Sequence, residues 1–128
     1  MTAAMTEGAH PGEHVLSEAP GSISREQVTL AVGQGLLVDG TVLGKSSAPG
    51  GEYVVYDPTL VSPPTGAETA VATLYGNYDT TDDAQPAVVI ARMAEVKTAQ
   101  LAWVTGISSG EKVAAIAALA THYIIARS

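Results

Sequence analysis

The residue types that bind metals or transfer protons are few in this sequence, and one group of them lies near its start. His10 and His14 are four residues apart with Glu13 between them, a spacing that puts two imidazoles on one face of a helix. Pro11 and Gly12 separate the histidines and oppose that helix. We therefore interpret both histidines as solvent-exposed residues of a tail and predict no metal site here.

A glycine-rich segment and a group of acidic residues are the other candidate ligand sites. The segment 33–38 begins like a dinucleotide-binding fingerprint, but Val38 stands where a third glycine is needed and no βαβ unit surrounds it. A turn or a bulge is the better interpretation. Asp79, Asp82 and Asp83 offer oxygen ligands, yet their spacing matches no calcium loop, which favours a solvated turn. No sequence context marks a nucleophilic triad. We predict no catalytic residue, no metal and no cofactor.

The elements that would have to position such residues are mainly short strands. Val28, Leu30 and Val32 alternate with smaller residues, the period-two pattern of a half-buried strand. Asp39-Gly40 lies between two apolar segments and predicts a tight hairpin turn. Further strands are predicted at 53–56, 69–75 and 87–91, with an extended segment at 96–104.

One helix is predicted, near the C-terminus. Ser108 and Glu111 have the spacing of a capping box, which places a helix near residues 110–121. Its apolar face is predicted to contain the following residues: Val113, Ile116, Ala117 and Ala120. The β-branched residues after it predict a short last strand. The pattern as a whole predicts a mainly β domain with one C-terminal α-helix.

The first 24 residues differ in character from the rest. They are small, polar and interrupted by glycine and proline, with Val15, Leu16 and Ile23 as the sizeable apolar side chains towards the end of the stretch. Such a segment buries too little surface to offset its ordering entropy. We therefore predict an extended N-terminal arm at residues 1–24, flexible when alone and ordered by a partner chain, followed by a β-rich domain at residues 25–128.

Composition limits the size of the domain and its partners. The chain has 128 residues, enough for one domain, and it has no cysteine, so it has no disulfide framework. Its net charge of −7 disfavours nucleic acid and anionic membrane surfaces as partners. The N-terminal residues lack the cationic start and apolar stretch of a secretory signal. An alanine-rich core is modest, and assembly with other chains would help to hold it.

Several segments, taken in order, resemble the lambda-type head decoration protein family of tailed phages. No one segment is diagnostic, but together they cover residues 25–128 in the right order and spacing. The segments are Asp39–Lys45, Gly51–Pro58, Gly66–Ala72, Val88–Arg92 with Ala94–Val96, Leu101–Trp103, and the alanine-rich helix with Tyr123–Ile125.

The resemblance implies a β-clip-like fold and a phage capsid decoration (cement) protein, made in the host cytoplasm and carried on the outer capsid surface of the virion. It implies a homotrimer at local three-fold positions that binds the major capsid protein after the head expands and stabilises the head against internal DNA pressure. The candidate capsid-binding residues of the arm are Val15, Leu16, Ile23 and Arg25. Trp103 is either an interface anchor or a core residue.

Two other classes of function are considered. A virion-surface module that binds a glycan or a receptor would need a shallow pocket lined by aromatic side chains, and one Trp with five dispersed Tyr gives it little support. A small hydrolase would need a cluster of acid, base or nucleophile, and the sequence offers none that we recognise.

Overall fold

The structure is a computed structural model that describes residues 10–48, 50–60 and 65–128. These residues form a mainly β protein with one long helix near the C-terminus, as the sequence predicts. The strands are β1 (Val15–Glu18), β2 (Arg25–Leu30), β3 (Leu36–Leu37), β4 (Val42–Lys45), β5 (Tyr53–Val55), β6 (Ala72–Tyr75), β7 (Tyr78–Asp79), β8 (Gln85–Ile90), β9 (Ala94–Lys97) and β10 (Ile124–Arg127). The helices are α1 (Gly21–Ser24) and α2 (Ser109–Ala120), and Thr98–Gln100 forms a 3₁₀ turn.

Five strands close into a barrel in the order β2-β5-β4-β6-β8. The longest pairing is antiparallel and joins β2 to β8 from Arg25 opposite Ile90 to Leu30 opposite Gln85. Leu30 and Val28 turn towards the interior as their alternation predicts, whereas Val32 lies beyond the end of β2 and is exposed. The buried residues of one core cluster come mainly from the barrel: Leu30, Leu37, Leu43, Tyr53, Ala72, Leu74, Ala87, Val89 and Ala91.

A three-stranded sheet in the order β1-β9-β10 lies beside the barrel and packs with α2 on a second core cluster. Strand β1 is antiparallel to β9, and β10 is parallel to β9. Tyr56, Leu101, Leu119 and Ile124 are among the buried residues of this cluster. The two clusters are the apolar core that orients the N-terminal segment.

Helix α2 begins where the capping box predicts but buries a different face from the predicted one. Ala115 and Leu119 are its buried residues, whereas Val113 is 67% exposed. Apolar side chains surround the helix on nearly all sides, so their periodicity does not select one face. The buried face is determined by the packing of α2 against β10.

The prediction of a β-hairpin at Asp39-Gly40 is wrong. A turn does form, since the Thr41 N–H donates to the Val38 carbonyl and Gly40 has a φ of +86°. However, β3 pairs with β7, and β4 pairs with β5 and β6. Gly40 also lies against the backbone of Gln100, where a Cβ would collide with the carbonyl oxygen. The turn therefore serves a long-range contact and does not join two paired strands.

One further sequence prediction is modified by the structure. The predicted extended segment 96–104 contains the end of β9 and a 3₁₀ turn, followed by a bridge from Ala102 to Thr41. The first nine residues of the predicted arm lie outside the described residues. None of the described helices has the length and apolar character that a membrane crossing requires.

Candidate functional site

Residues 10–24 of the predicted arm pack on the domain. Strand β1 pairs with β9, and the Ala19 N–H continues the contact by donating to the Met93 carbonyl. This differs from the prediction of a segment that is flexible until a partner orders it. The segment is ordered without a partner chain because β9 supplies the hydrogen-bond partners and the apolar surface that the segment lacks by itself.

His14 is fully buried, so the prediction that it is solvent-exposed was wrong. Its Nδ1 donates to the Asp39 carboxylate at 2.7 Å, and its Nε2 shares a hydrogen bond with the Thr73 hydroxyl at 2.9 Å. The backbone joins the contact, since the Lys97 N–H donates to the His14 carbonyl at 2.7 Å. We call His14, Asp39 and Thr73 the buried histidine cluster. It joins the N-terminal segment to the 38–41 turn, β6 and β9.

Asp39 is the acceptor on which this cluster converges. Its carboxylate accepts the N–H groups of Gly12 at 2.8 Å, His14 at 3.1 Å and Gly76 at 2.8 Å, besides the imidazole. Burial opposes ionisation of the carboxyl, but the hydrogen bonds from His14, Gly12 and Gly76 outweigh it and lower the pKa of Asp39 below its ordinary value. Asp39 is therefore held as a fully hydrogen-bonded carboxylate.

A hydroxyl, an imidazole and a carboxylate in sequence have the connectivity of a nucleophilic triad. Here His14 and Thr73 are 0% exposed and Asp39 is 2% exposed, so a substrate cannot reach the hydroxyl. A nucleophile must contact the bond it attacks. The geometry of the buried histidine cluster therefore serves to hold segments together.

Val15 and Leu16 follow His14 and have different environments. Val15 packs against the core cluster beneath the three-stranded sheet. The register between β1 and β9 shifts between Val15 and Ser17, which leaves Leu16 at a β-bulge with its side chain 48% exposed. A bulge redirects a side chain out of the regular ladder. Of these two candidate residues, Leu16 is available to contact a partner, whereas Val15 stabilises the fold.

Ile23 and Arg25 lie at the other end of the segment. Ile23 is in α1 and is 46% exposed, and its carbonyl accepts a hydrogen bond from Arg92. Arg25 donates to Glu18 at 2.5 Å and lies over the Tyr75 ring at 4.1 Å. The hydrogen bond from Arg25 is the main reason that the pKa of Glu18 is lowered. Arg25 is thus engaged within the chain, where it ties the end of β1 to the start of β2.

Trp103 is half-buried between the core and a surface groove of about 710 Å³. Its ring packs edge-to-face on Tyr56 with centroids 6.4 Å apart, and the Lys112 ammonium lies 5.9 Å from the ring centroid. The groove is mostly apolar, with Leu36, Val38 and Leu60 among the lining residues. Both roles considered for Trp103, core residue and surface anchor, are compatible with this position.

The other candidate ligand sites are accounted for by local structure. Gly33 and Gly35 have φ values of +85° and +76° in a turn that hydrogen-bonds to Thr80, and a strand follows. Asp79 accepts the Thr81 N–H at 2.9 Å, as in a local turn. Within residues 10–48, 50–60 and 65–128, no three His, Cys, Asp or Glu side chains are grouped to hold a metal.

Sequence reasoning missed the buried histidine cluster because its members are 25 and 59 residues apart. The local signal was misleading, since Pro11 and Gly12 beside His14 are typical of an exposed tail. One usable sign existed: Asp39-Gly40 marks a turn whose aspartate needs partners if it is buried.

Comparison with known proteins gives the family. No curated protein matches the chain. The family model described as bacteriophage lambda head decoration protein D matches residues 4–124, nearly the whole chain and including both the N-terminal segment and the barrel. The chain therefore belongs to the bacteriophage lambda head decoration protein D family and is a decoration protein of a phage capsid.

Proposed function

We propose that trimers of this chain bind the outer surface of the expanded phage head at local three-fold positions and stabilise it against the pressure of packaged DNA. The match of residues 4–124 to a head decoration family carries the proposal. The partner is then the major capsid protein.

The charge of the chain supports a place on the outside of the shell. A net charge of −7 repels the phosphate backbone that fills a packed head. An acidic protein on the inner face would face that repulsion over its whole surface, whereas on the outer face the shell separates it from the DNA.

The contact with the head is assigned to the exposed part of the N-terminal segment. Leu16 is displayed by the bulge in β1, and Ile23 is displayed by α1. Exposed apolar side chains of this size gain free energy when a partner covers them. Val15 and Arg25 support the same surface from within the chain, through the core and through Glu18.

Trimerisation supplies affinity that one copy lacks. When one subunit is bound, the second and third sites are met at roughly millimolar effective concentration. The apolar groove beside Trp103 is our candidate for the contact between copies, because a half-buried aromatic ring beside a groove is a typical anchor. Association would also cover exposed groove residues such as Leu36 and Leu60.

The test is co-sedimentation with undecorated shells, expanded and unexpanded. The proposal expects saturable binding to expanded shells alone and one trimer per local three-fold position, together with retention of packaged DNA at temperatures that empty undecorated heads. Leu16→Ala should weaken binding. The matched control is Val113→Ala, which truncates an even more exposed apolar side chain on α2, outside the proposed contact.

The truncation in this test must respect the fold. A chain cut before Arg25 loses His14 and β1, so lost binding would not distinguish a lost contact from a damaged domain. A chain that begins at His10 retains all contacts among the described residues. Failure of the intact chain to bind expanded shells of its own phage would overturn the proposal and favour a surface module for glycans or receptors.

A further inference from the structure

The buried histidine cluster has no role in the head contact itself, since none of its side chains is accessible. Full burial of a histidine needs a reason, because imidazole nitrogens lose their hydration when they leave water. Here both nitrogens have protein partners, at 2.7 and 2.9 Å. Satisfied buried polar groups specify one arrangement, because each alternative leaves a donor or acceptor unpaired.

The partners of His14 belong to parts of the chain that are remote in sequence. Asp39 is in the turn before β4, Thr73 is in β6, and Lys97 ends β9. One residue therefore fixes the N-terminal segment to the barrel on one side and to the three-stranded sheet on the other. Its position is also immediately before Val15 and Leu16, the start of β1.

The backbone before His14 fits closely against the same place. The Gly12 N–H donates to Asp39, and a Cβ at Gly12 would come within 2.8 Å of the Tyr75 ring. Arg25 lies over that ring and pairs with Glu18. The segment is thus held at both ends of β1, by the histidine cluster at the first end and by the Glu18–Arg25 pair at the second.

We propose that His14 is a positioning residue for head binding, which anchors the N-terminal segment before the head is met and so presents Leu16 in a fixed place. This inference rests on the proposed function. Its physical basis is preorganisation: a segment that is ordered in the free protein loses less conformational entropy on binding than one that must be ordered by its partner.

The consequence is quantitative. If only the anchored form binds, the apparent Kd rises by the reciprocal of the anchored fraction. A variant in which the segment is anchored in about a tenth of the molecules should bind expanded shells about tenfold more weakly. The anchored fraction and the head affinity are measured independently, so the relation between them is the decisive observation.

The experiment combines amide hydrogen exchange with co-sedimentation. For His14→Ala we expect faster exchange at the Lys97 and Ala19 N–H groups, which bond across the segment boundary, with the β2–β8 ladder still protected. Head affinity should fall by the factor that the exchange data give. The matched control is His122→Ala, which changes an exposed histidine after α2 and should alter neither measurement.

Should His14→Ala unfold the barrel as well, a pair of milder changes decides the question. Thr73→Val removes the hydroxyl that partners Nε2 and keeps the side-chain shape, whereas Thr73→Ser retains a hydroxyl. We expect release of the segment and weaker head binding in Thr73→Val and recovery of both in Thr73→Ser.

Two results would overturn the inference. One is undiminished protection at Lys97 and Ala19 in the His14 and Thr73→Val variants. The other is released segments with unchanged head affinity. If the unmodified chain does not bind expanded shells, the proposed function fails, and the positioning role fails with it even where exchange shows an anchored segment.

Discussion

Asp39 shows how a single side chain organises this protein. Four hydrogen bonds converge on its carboxylate, from an imidazole and three backbone N–H groups. Their donors come from two segments of the chain, around His14 and at Gly76. An ionised carboxylate can accept about four hydrogen bonds and donates none, so it can bind several N–H groups that have no other acceptor. The same property makes its ionisation part of the stability of the fold.

Acid should therefore destabilise the protein through Asp39. The pKa of this group is lowered in the folded state from its ordinary 3.8, so its contribution is present above pH 3.8 and is lost as the pH falls through the folded pKa. We expect the free energy of unfolding to drop by roughly 1.5–3 kcal/mol on this account, the usual contribution of a hydrogen bond to a charged group. Urea unfolding at pH 7, 5 and 3 measures it.

The matching variant is Asp39→Asn, which should be less stable at pH 7 and show a shallower pH dependence. The lowered pKa values of Glu18 and Glu95 act in the same direction, through Arg25 and Arg127 as their first causes, so the intact chain keeps some acid sensitivity in the variant. Equal slopes for the two proteins would contradict the role given to Asp39.

At the scale of elements, α2 is the part that its own sequence defines best. The Ser108 hydroxyl accepts the Glu111 N–H at 3.1 Å, and the Glu111 carboxylate accepts the Ser108 N–H at 2.9 Å. Both bonds are local, so Ser at one position and Glu three residues later suffice to predict them. The buried face of the helix was not predictable in the same way, because alanine and other apolar residues surround it.

Removal of this cap should cost stability. We expect Ser108→Ala to lower the free energy of unfolding by about 1 kcal/mol, since one N–H of the first turn loses its acceptor. Urea unfolding checks the value. Ser109→Ala, which changes the neighbouring exposed serine, is the control and should have a smaller effect. If the two substitutions cost the same, the capping box does not stabilise the domain.

The strands show a similar division between local and distant causes. Segments near residues 28–30, 53–55, 72–75 and 87–90 were predicted as strands from period two and turn residues, and they are strands. Their partners did not follow from the pattern. Asp39-Gly40 suggested that the segments beside it pair, but β3 pairs with β7, some 40 residues away. The residues of a turn determine that the chain bends there. Which strands pair is determined by the rest of the fold.

At the scale of the whole molecule, the N-terminal segment is part of the domain from His10 onward. Strand β1 covers one edge of β9 and Val15 adds to the core cluster. Composition predicted a flexible arm because the segment buries little surface by itself. That prediction left out the free energy that the segment gains when it packs on the barrel and β9.

A truncation measures this contribution. A chain that begins at Ala19 lacks His14 and β1, which leaves the buried Asp39 carboxylate without its imidazole partner. We expect its free energy of unfolding to fall by roughly 1.5–3 kcal/mol, the usual contribution of a hydrogen bond to a charged group. A chain that begins at His10 keeps the contact and serves as the control in the same urea titration. Equal stability of the two chains would show that the segment does not support the domain.

Local residue patterns in the sequence were enough to determine the β-rich class, the positions of most strands, the start of α2 and the acidic charge. The order of short segments indicated the family, which the match over residues 4–124 confirms. The tertiary structure alone decided which strands pair, which face of α2 is buried, and that His14 leaves the tail to join Asp39 and Thr73. The reason is physical: strand period, turns and caps depend on residues within a few positions, whereas burial and pairing depend on surfaces that distant segments create only when the chain folds.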